Sequence, residues 1–291
     1  MFRNRKIFGD QKSFEVNPQF NADNYKKKDT SIISIVNQKG GCGKTTTCIN
    51  LSAYLANQGY KVLTIDIDPQ AHTSLGLGLD VDNLAHSIYD VITRDMELDY
   101  VIVPSQIKNL DIAPAISLLT GAQIEISDLL GRERILKTAI YKMVNTNFRN
   151  YDYILIDCSP SLNIVTINGL VTADSLIVPV QTQYFSLEGM KELFSTINLV
   201  RERLSSDLNV LGILPTMFDK RLKMNKEMLR QIRDYFQDKV FDTAIRMNSK
   251  LSEAVLSKES IFKYAPRSRG AQDYSSLGQE VLERVKKYQT I

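Results

Sequence analysis

The stretch Ser31-Ile-Ile-Ser-Ile-Val-Asn-Gln-Lys-Gly-Gly-Cys-Gly-Lys-Thr-Thr-Thr47 passes from a β-branched run, through three glycines, to a lysine and three threonines. Residues 31–37, apolar and stopped by a glycine-rich turn, have the pattern of a buried parallel strand. From residue 44 to about 58, Ile49, Leu51, Ala53, Leu55 and Ala56 populate mainly one side of a helix, and Gly59 sits where a C-terminal glycine is expected. Between strand and helix, Gly40, Gly41 and Gly43 let the backbone turn its N–H groups inward around phosphate oxygens, and the helix adds its positive N-terminal dipole. Lys44 then reaches the β and γ phosphates, and the Thr45 hydroxyl is placed to coordinate Mg²⁺. In the general pattern G-x-x-x-x-G-K-[ST] the first position is glycine; here it is Gln38, followed by Lys39. A second lysine beside one triphosphate suits a reaction that develops negative charge.

Working outward, apolar strand-like runs recur at 61–68, 109–113, 151–157, 175–180 and 210–214, with helical segments between most of them. In residues 187–204, Leu187, Met190, Leu193, Phe194, Ile197, Val200 and Leu204 keep spacings of three and four. This alternation predicts an α/β fold, a mostly parallel twisted sheet covered by helices on both faces, with ligands at the carboxyl ends of the strands. A chain of 291 residues fits one such domain over 31–291, preceded by a flexible basic extension over 1–30 that carries Lys26-Lys27-Lys28.

With 43% hydrophobic and 24% charged residues, the composition is that of an ordinary globular protein and excludes disordered, collagenous and disulfide-dense classes. No apolar run approaches the roughly 18 residues of a membrane span, and the first thirty residues lack a secretory apolar block, so a cytoplasmic location is expected. Cys42, Cys48 and Cys158 show no C-x-x-C spacing and, with only two histidines, read as buried free thiols. The net charge of +3 is unevenly spread: residues 220–291 hold 16 Lys and Arg against 9 Asp and Glu, a net +7 that leaves −4 for the rest. A clustered positive end is the usual footprint for phosphate-rich partners.

A phosphate loop needs carboxylates at neighbouring strand ends. Tyr151-Asp-Tyr-Ile-Leu-Ile-Asp157 closes an apolar strand with Asp157, the Walker B arrangement for holding Mg²⁺. Leu63-Thr-Ile-Asp-Ile-Asp-Pro-Gln70 supplies two more, and strand alternation puts Asp66 and Asp68 on one face.

Lys39-Gly-Gly-Cys-Gly-Lys-Thr-Thr46 resembles the deviant Walker A motif of the ParA and MinD group of P-loop ATPases. Asp157-Cys-Ser-Pro-Ser161 resembles the family's D-C-P-P-S switch, with Ser159 in place of a proline. Pro179-Val-Gln-Thr-Gln-Tyr-Phe-Ser-Leu-Glu-Gly189, Asn248-Ser-Lys-Leu-Ser-Glu-Ala254 and Tyr264-Ala-Pro-Arg-Ser-Arg-Gly-Ala271 are similar to segments of the Soj-type branch. The resemblance implies an ATP- and Mg²⁺-dependent ATPase acting as an ATP-sandwich homodimer, in which Lys39 reaches the partner's nucleotide. By the same resemblance Asp68 orients the attacking water, Asp66 supports it, and Cys42, Thr46, Met217, Pro266 and Arg267 join the loop residues around the nucleotide. The branch binds double-stranded DNA without sequence preference and is activated by a ParB-like centromere-binding partner on the nucleoid; the matching basic positions are Arg221 and Lys250, with Arg246 beside them. The alternative within the superfamily, a MinD-like membrane ATPase, calls for an amphipathic C-terminal helix with large apolar residues. Val281, Leu282, Val285 and Tyr288 predict an ordinary docking helix instead, hence no membrane partner. Cysteines inside the loop, on its helix and in the switch also fit poorly with a cluster bridging two subunits.

Overall fold

The computed structural model describes residues 30–145, 149–182, 187–204 and 208–289; the expected basic extension, but for Thr30, and residues 183–186 of the segment after Pro179 lie outside them. Seven strands form one sheet: β1 (Ser31–Ile35), β2 (Val62–Asp66), β3 (Val103–Pro104), β4 (Leu110–Ala113), β5 (Tyr153–Asp157), β6 (Ser175–Gln181) and β7 (Asn209–Thr216). Their spatial order is β3-β4-β2-β5-β1-β6-β7, and only β3 runs antiparallel to its neighbour. The six longer strands coincide with the expected runs to within two residues at most ends. The two-residue β3 carries no sequence signal, and its Pro104 is of the kind tolerated only at a sheet edge.

Eleven helices are described: α1 (Lys44–Asn57), α2 (His72–Gly76), α3 (Ile88–Arg94), α4 (Ala122–Glu125), α5 (Ile135–Asn145), α6 (Ile164–Thr172), α7 (Leu187–Leu204), α8 (Lys223–Phe236), α9 (Ser249–Leu256), α10 (Ile261–Tyr264) and α11 (Arg269–Gln289). Alternation along the strands divides the core in two. Ile32, Leu63, Ile65, Ile154, Ile156 and Val178 face a layer that includes Ile92, Leu136, Leu170 and Ile197 from α3, α5, α6 and α7. Ile33, Ile35, Val62, Leu155 and Ile177 face Ile49, Leu51, Leu55, Leu277 and Val281 from α1 and α11. Each such fully buried aliphatic side chain contributes roughly 1.5–3 kcal/mol, so both helical layers are driven onto the sheet by strands apolar on both faces.

Helix α1 ends as expected, with Gly59 at φ 92° and its amide bonded to the Ala56 carbonyl at 3.0 Å. On α11 most of the expected face is inward: Val281 and Val285 are buried and Leu282 packs against the same core, whereas Tyr288 is exposed and accepts a hydrogen bond from Lys239 Nζ at 2.9 Å. The helix is thereby committed to α1 and β7, and the Tyr274 and Thr47 hydroxyls meet at 3.2 Å across the α1–α11 seam. Among the described residues no helix is long and apolar enough to cross a membrane.

The α1–α11 seam depends on Gly278, where a Cβ would overlap the Tyr54 ring. Gly278→Ala is expected to destabilise the fold by about 1–3 kcal/mol through overpacking, read as a lower denaturant midpoint at an unchanged slope.

Candidate functional site

Strand β1 is hydrogen-bonded to β5 on one side and β6 on the other, so the chain order reverses about it, and in such sheets the crevice at the strand ends is where ligands bind. The glycine loop grows from that point. Asn37 Nδ2 donates to the Pro179 carbonyl at 2.6 Å, and its Oδ1 accepts the Lys39 amide at 3.0 Å, pinning the loop's entry to β6. Gly41 and Gly43 sit at φ 69° and 94°, conformations a side chain would strain, and Gly43 leads directly into α1. Outer braces come from β6 and β7: Gln181 Nε2 donates to the Gly41 carbonyl at 2.7 Å and Thr216 Oγ1 to the Cys42 carbonyl at 2.8 Å.

The two loop lysines have opposite surroundings. Lys44 is only 6% exposed, and its ammonium donates to the Lys39 carbonyl at 3.1 Å, inside the loop. Lys39 lies on the exposed rim next to Gly40, where a Cβ would meet nothing within 4 Å. Thr45 and Thr46 are half-buried in the first turn of α1, and the Thr46 carbonyl accepts Asn50 Nδ2 at 2.8 Å.

Asp157 and Asp66 end β5 and β2 in register as direct cross-strand partners. Both are essentially inaccessible. Asp157 Oδ2 accepts the hydroxyls of Thr45 at 2.8 Å and Thr73 at 2.6 Å, whereas its Oδ1 is buried with no hydrogen-bond partner. Asp66 Oδ2 accepts from the Ser74 amide and hydroxyl at 2.9 and 2.7 Å, and its Oδ1 accepts the Asp68 amide at 3.1 Å. Burial, then the neighbouring Asp157 charge, pushes the Asp66 carboxyl well above the usual carboxylate range, with the Ser74 bonds opposing. Burial likewise raises Asp157 against the Thr73 and Thr45 hydroxyls. Such a pair gains from a divalent cation. The donor set suits magnesium, a hard ion that keeps several waters and takes one or two carboxylates plus substrate phosphates: the Thr45 hydroxyl and the orphaned Asp157 Oδ1 are available. No group of three His, Cys, Asp or Glu among the described residues could form an all-protein cage instead.

Asp68 behaves differently from the alternation expected for it. Strand β2 stops at Asp66, so Asp68 belongs to the following turn; it is half-buried, and its Oδ1 accepts only the Gln70 amide at 2.9 Å. Asp68 is thus the less committed and more open of the two carboxylates.

Arg221, Arg246 and Lys250 lie on the two segments that pair just beyond β7, around Phe218 and around Arg246. Beyond β7 the chain passes through Met217, whose backbone is left-handed at φ 54° and whose sulfur accepts Gln181 Nε2 at 3.4 Å, to Phe218, which bridges to Arg246. Each cation has a carboxylate partner: Arg221 spans both Asp219 oxygens at 3.0 and 2.7 Å, and Lys250 meets Glu253 at 2.6 Å. Arg246 differs from the other two. Its backbone amide and its guanidinium both hold Asp273, which is 8% exposed at the side chain, so it braces α11 against the β7 edge. Pro266 and Arg267 occupy the exposed turn between α10 and α11. The Cys42, Cys48 and Cys158 thiols are free and buried, and burial raises all three above the ordinary thiol range.

Sequence reasoning missed Thr73 and Ser74, which clamp the two buried carboxylates, and Asn37, Gln181 and Thr216, which brace the loop. Hydroxyl and amide side chains are too common for their spacing to signal such roles; only the fold brings them to these partners.

The family described as "AAA domain" matches residues 30–210. The sporulation initiation inhibitor protein Soj of Bacillus subtilis is 44% identical over 86% of this chain and 97% of its own length. The chromosome partitioning protein ParA of Myxococcus xanthus is 40% identical over 87% of this chain and 88% of its own. Among solved structures, a Mycobacterium smegmatis protein titled cobyrinic acid a,c-diamide synthase, with bound ADP and magnesium, superposes with a TM-score of 0.77 at 32% identity, covering 88% of this chain and 96% of that one. The same protein also holds an ATP analogue with magnesium. A strand-loop-helix with Lys44 and Thr45 at its mouth, Asp157 facing it, and relatives this similar along nearly their whole length place the chain in the AAA-domain family of P-loop ATPases, on the ParA and Soj chromosome-partitioning branch.

Proposed function

We propose that this chain is an ATP-driven DNA-partitioning ATPase that closes into a nucleotide-sandwich homodimer, binds double-stranded DNA without sequence preference in that state, and lets go after hydrolysis. The observation that carries the reading is the contrast between the two loop lysines: Lys44 is enclosed with its own loop, and Lys39 stands on the exposed rim where a second subunit's nucleotide can be met.

On this reading the loop amides and the α1 N-terminus hold the phosphates of ATP, with Lys44 exchanging its Lys39 carbonyl partner for phosphate oxygens. Thr45 and Asp157 hold magnesium, which neutralises charge on the β and γ oxygens. Asp68 accepts a hydrogen bond from the attacking water and orients it. Met217, next to Gln181 at the outer wall of the loop, and Pro266 with Arg267, in the turn before α11, border the nucleotide or the partner subunit. Arg221 and Lys250 contact DNA phosphates. Their ion pairs with Asp219 and Glu253 leave both cations open to solvent, where such pairs contribute little, so a phosphate displaces the carboxylates readily. Arg246 supports this edge through Asp273. DNA binding only to the dimer couples the two equilibria, because any ligand that prefers one state shifts the population toward it. A ParB-like partner would accelerate hydrolysis and so time release on the nucleoid.

Light scattering and DNA binding with ATP, ADP and no nucleotide test the reading: a dimer and a DNA complex are expected with ATP and a non-hydrolysable analogue alone, and a chain that stays monomeric with either would refute it. Lys44→Ala should remove ATP binding measured by calorimetry, whereas Lys39→Ala should keep it and lose dimerisation. Asp68→Ala is expected to bind ATP and stay dimeric on DNA with hydrolysis abolished; normal turnover would mean that another residue orients the water. Arg221→Ala with Lys250→Ala should leave ATP binding intact and flatten the log–log salt dependence of DNA binding by about two units per subunit, or nearly four for the dimer, since each lost phosphate contact removes roughly 0.9.

A further inference from the structure

Residues 67–74 form the loop that carries Asp68; its start is fixed by the Ile67 amide, which donates to the Asp157 carbonyl at 3.0 Å, and beyond that two anchors tie it to the buried carboxylates. One is Asp66, which accepts from Ser74 and from the Asp68 amide. The other is the Thr73 hydroxyl, 2.6 Å from Asp157 Oδ2 on a different strand. Thr73 is fully buried. Nothing within the loop itself would hold Thr73 there: α2 is a single short turn, its N-cap Ala71 has no side-chain cap bond, and Ala71 sits at φ 52°, a left-handed conformation that strains a non-glycine residue. Backbone bonds from Ala71 to Asp68 and from Leu75 to Ala71 tie Asp68 and Thr73 into the same tight turn. The tether also orders the carboxylate. With Thr45 and Thr73 both on Oδ2, the buried and unpartnered Oδ1 is the oxygen left for a magnesium shell.

We propose that Thr73 is a positioning residue of the nucleotide site: its hydroxyl ties the loop that carries Asp68 to the magnesium-holding carboxylate Asp157, so that magnesium affinity and the placement of Asp68 are coupled. This rests on reading Asp157 as the magnesium carboxylate and Asp68 as the water-orienting one. Removing the second-sphere hydroxyl leaves Asp157 Oδ2 held by Thr45 alone and loosens the Asp68 loop, a change that acts through other groups and touches neither phosphate nor metal.

The test compares Thr73→Val, which keeps the branched shape, with Thr73→Ser, which keeps the hydroxyl, and with Asp157→Ala. Magnesium is titrated into each protein bound to fluorescent ADP, and hydrolysis is followed in parallel. Thr73→Val is expected to weaken the apparent magnesium affinity about tenfold and to lower kcat with the KM for ATP within about twofold, and Thr73→Ser to restore both. If Asp157→Ala loses the magnesium response while Thr73→Val keeps wild-type affinity, the coupling is wrong and the metal site stands. If Asp157→Ala also responds normally, the metal reading itself fails. A measurement on the unaltered protein covers the case of a variant that does not fold: adding magnesium to the ADP complex in place of EDTA should slow amide exchange across residues 67–74 several-fold, and unchanged exchange there overturns the proposal.

Discussion

Asp66 and Asp157 end neighbouring parallel strands as cross-strand partners, both sealed from solvent. Burying two carboxylates side by side is costly unless each is hydrogen-bonded or the pair is neutralised. The surroundings answer in both ways. Ser74 and the Asp68 amide satisfy Asp66, the Thr45 and Thr73 hydroxyls satisfy one oxygen of Asp157, and the remaining oxygen is left for a cation. Much of the local architecture follows from this constraint. The turn after β2 must fold back so that Thr73 and Ser74 reach the strand ends, and α1 must begin where Thr45 meets Asp157.

The glycine loop is stiff because other strands hold it. Asn37, Gln181 and Thr216 fasten its backbone to the carboxyl ends of β6 and β7, so it is braced before any phosphate arrives. The same contacts give a short physical path outward. Thr216 bonds the loop carbonyl of Cys42, Met217 follows in a left-handed conformation, and Phe218 pairs with the backbone around Arg246. The nucleotide loop and the basic edge with Arg221 and Lys250 are therefore separated by a few covalent and hydrogen-bonded links. Asp273 fastens this edge to α11, which is itself packed on α1. An arrangement of this kind lets one strand end, β7, belong both to the phosphate loop and to the charged surface.

The sequence alone determined the α/β class, the six long strands, the loop with Lys44 and Thr45, and the acids at the ends of β2 and β5, because strand hydrophobicity and glycine-rich turns are local properties written at fixed spacing. It did not reveal the two-residue β3, too short to carry a pattern, or that β2 ends at Asp66, which removes Asp68 from the strand's alternation and leaves it the more open of the two acids. Tertiary structure alone decided that Thr73 and Ser74 clamp the buried pair across 84 and 8 residues of chain, that Arg246 is taken by Asp273, and that Lys44 is enclosed while Lys39 is exposed. Hydroxyls, amides and ion pairs acquire their partners through the parallel register and the packing of helices on the sheet, and a hydrogen bond acts over about 3 Å of space regardless of distance along the chain.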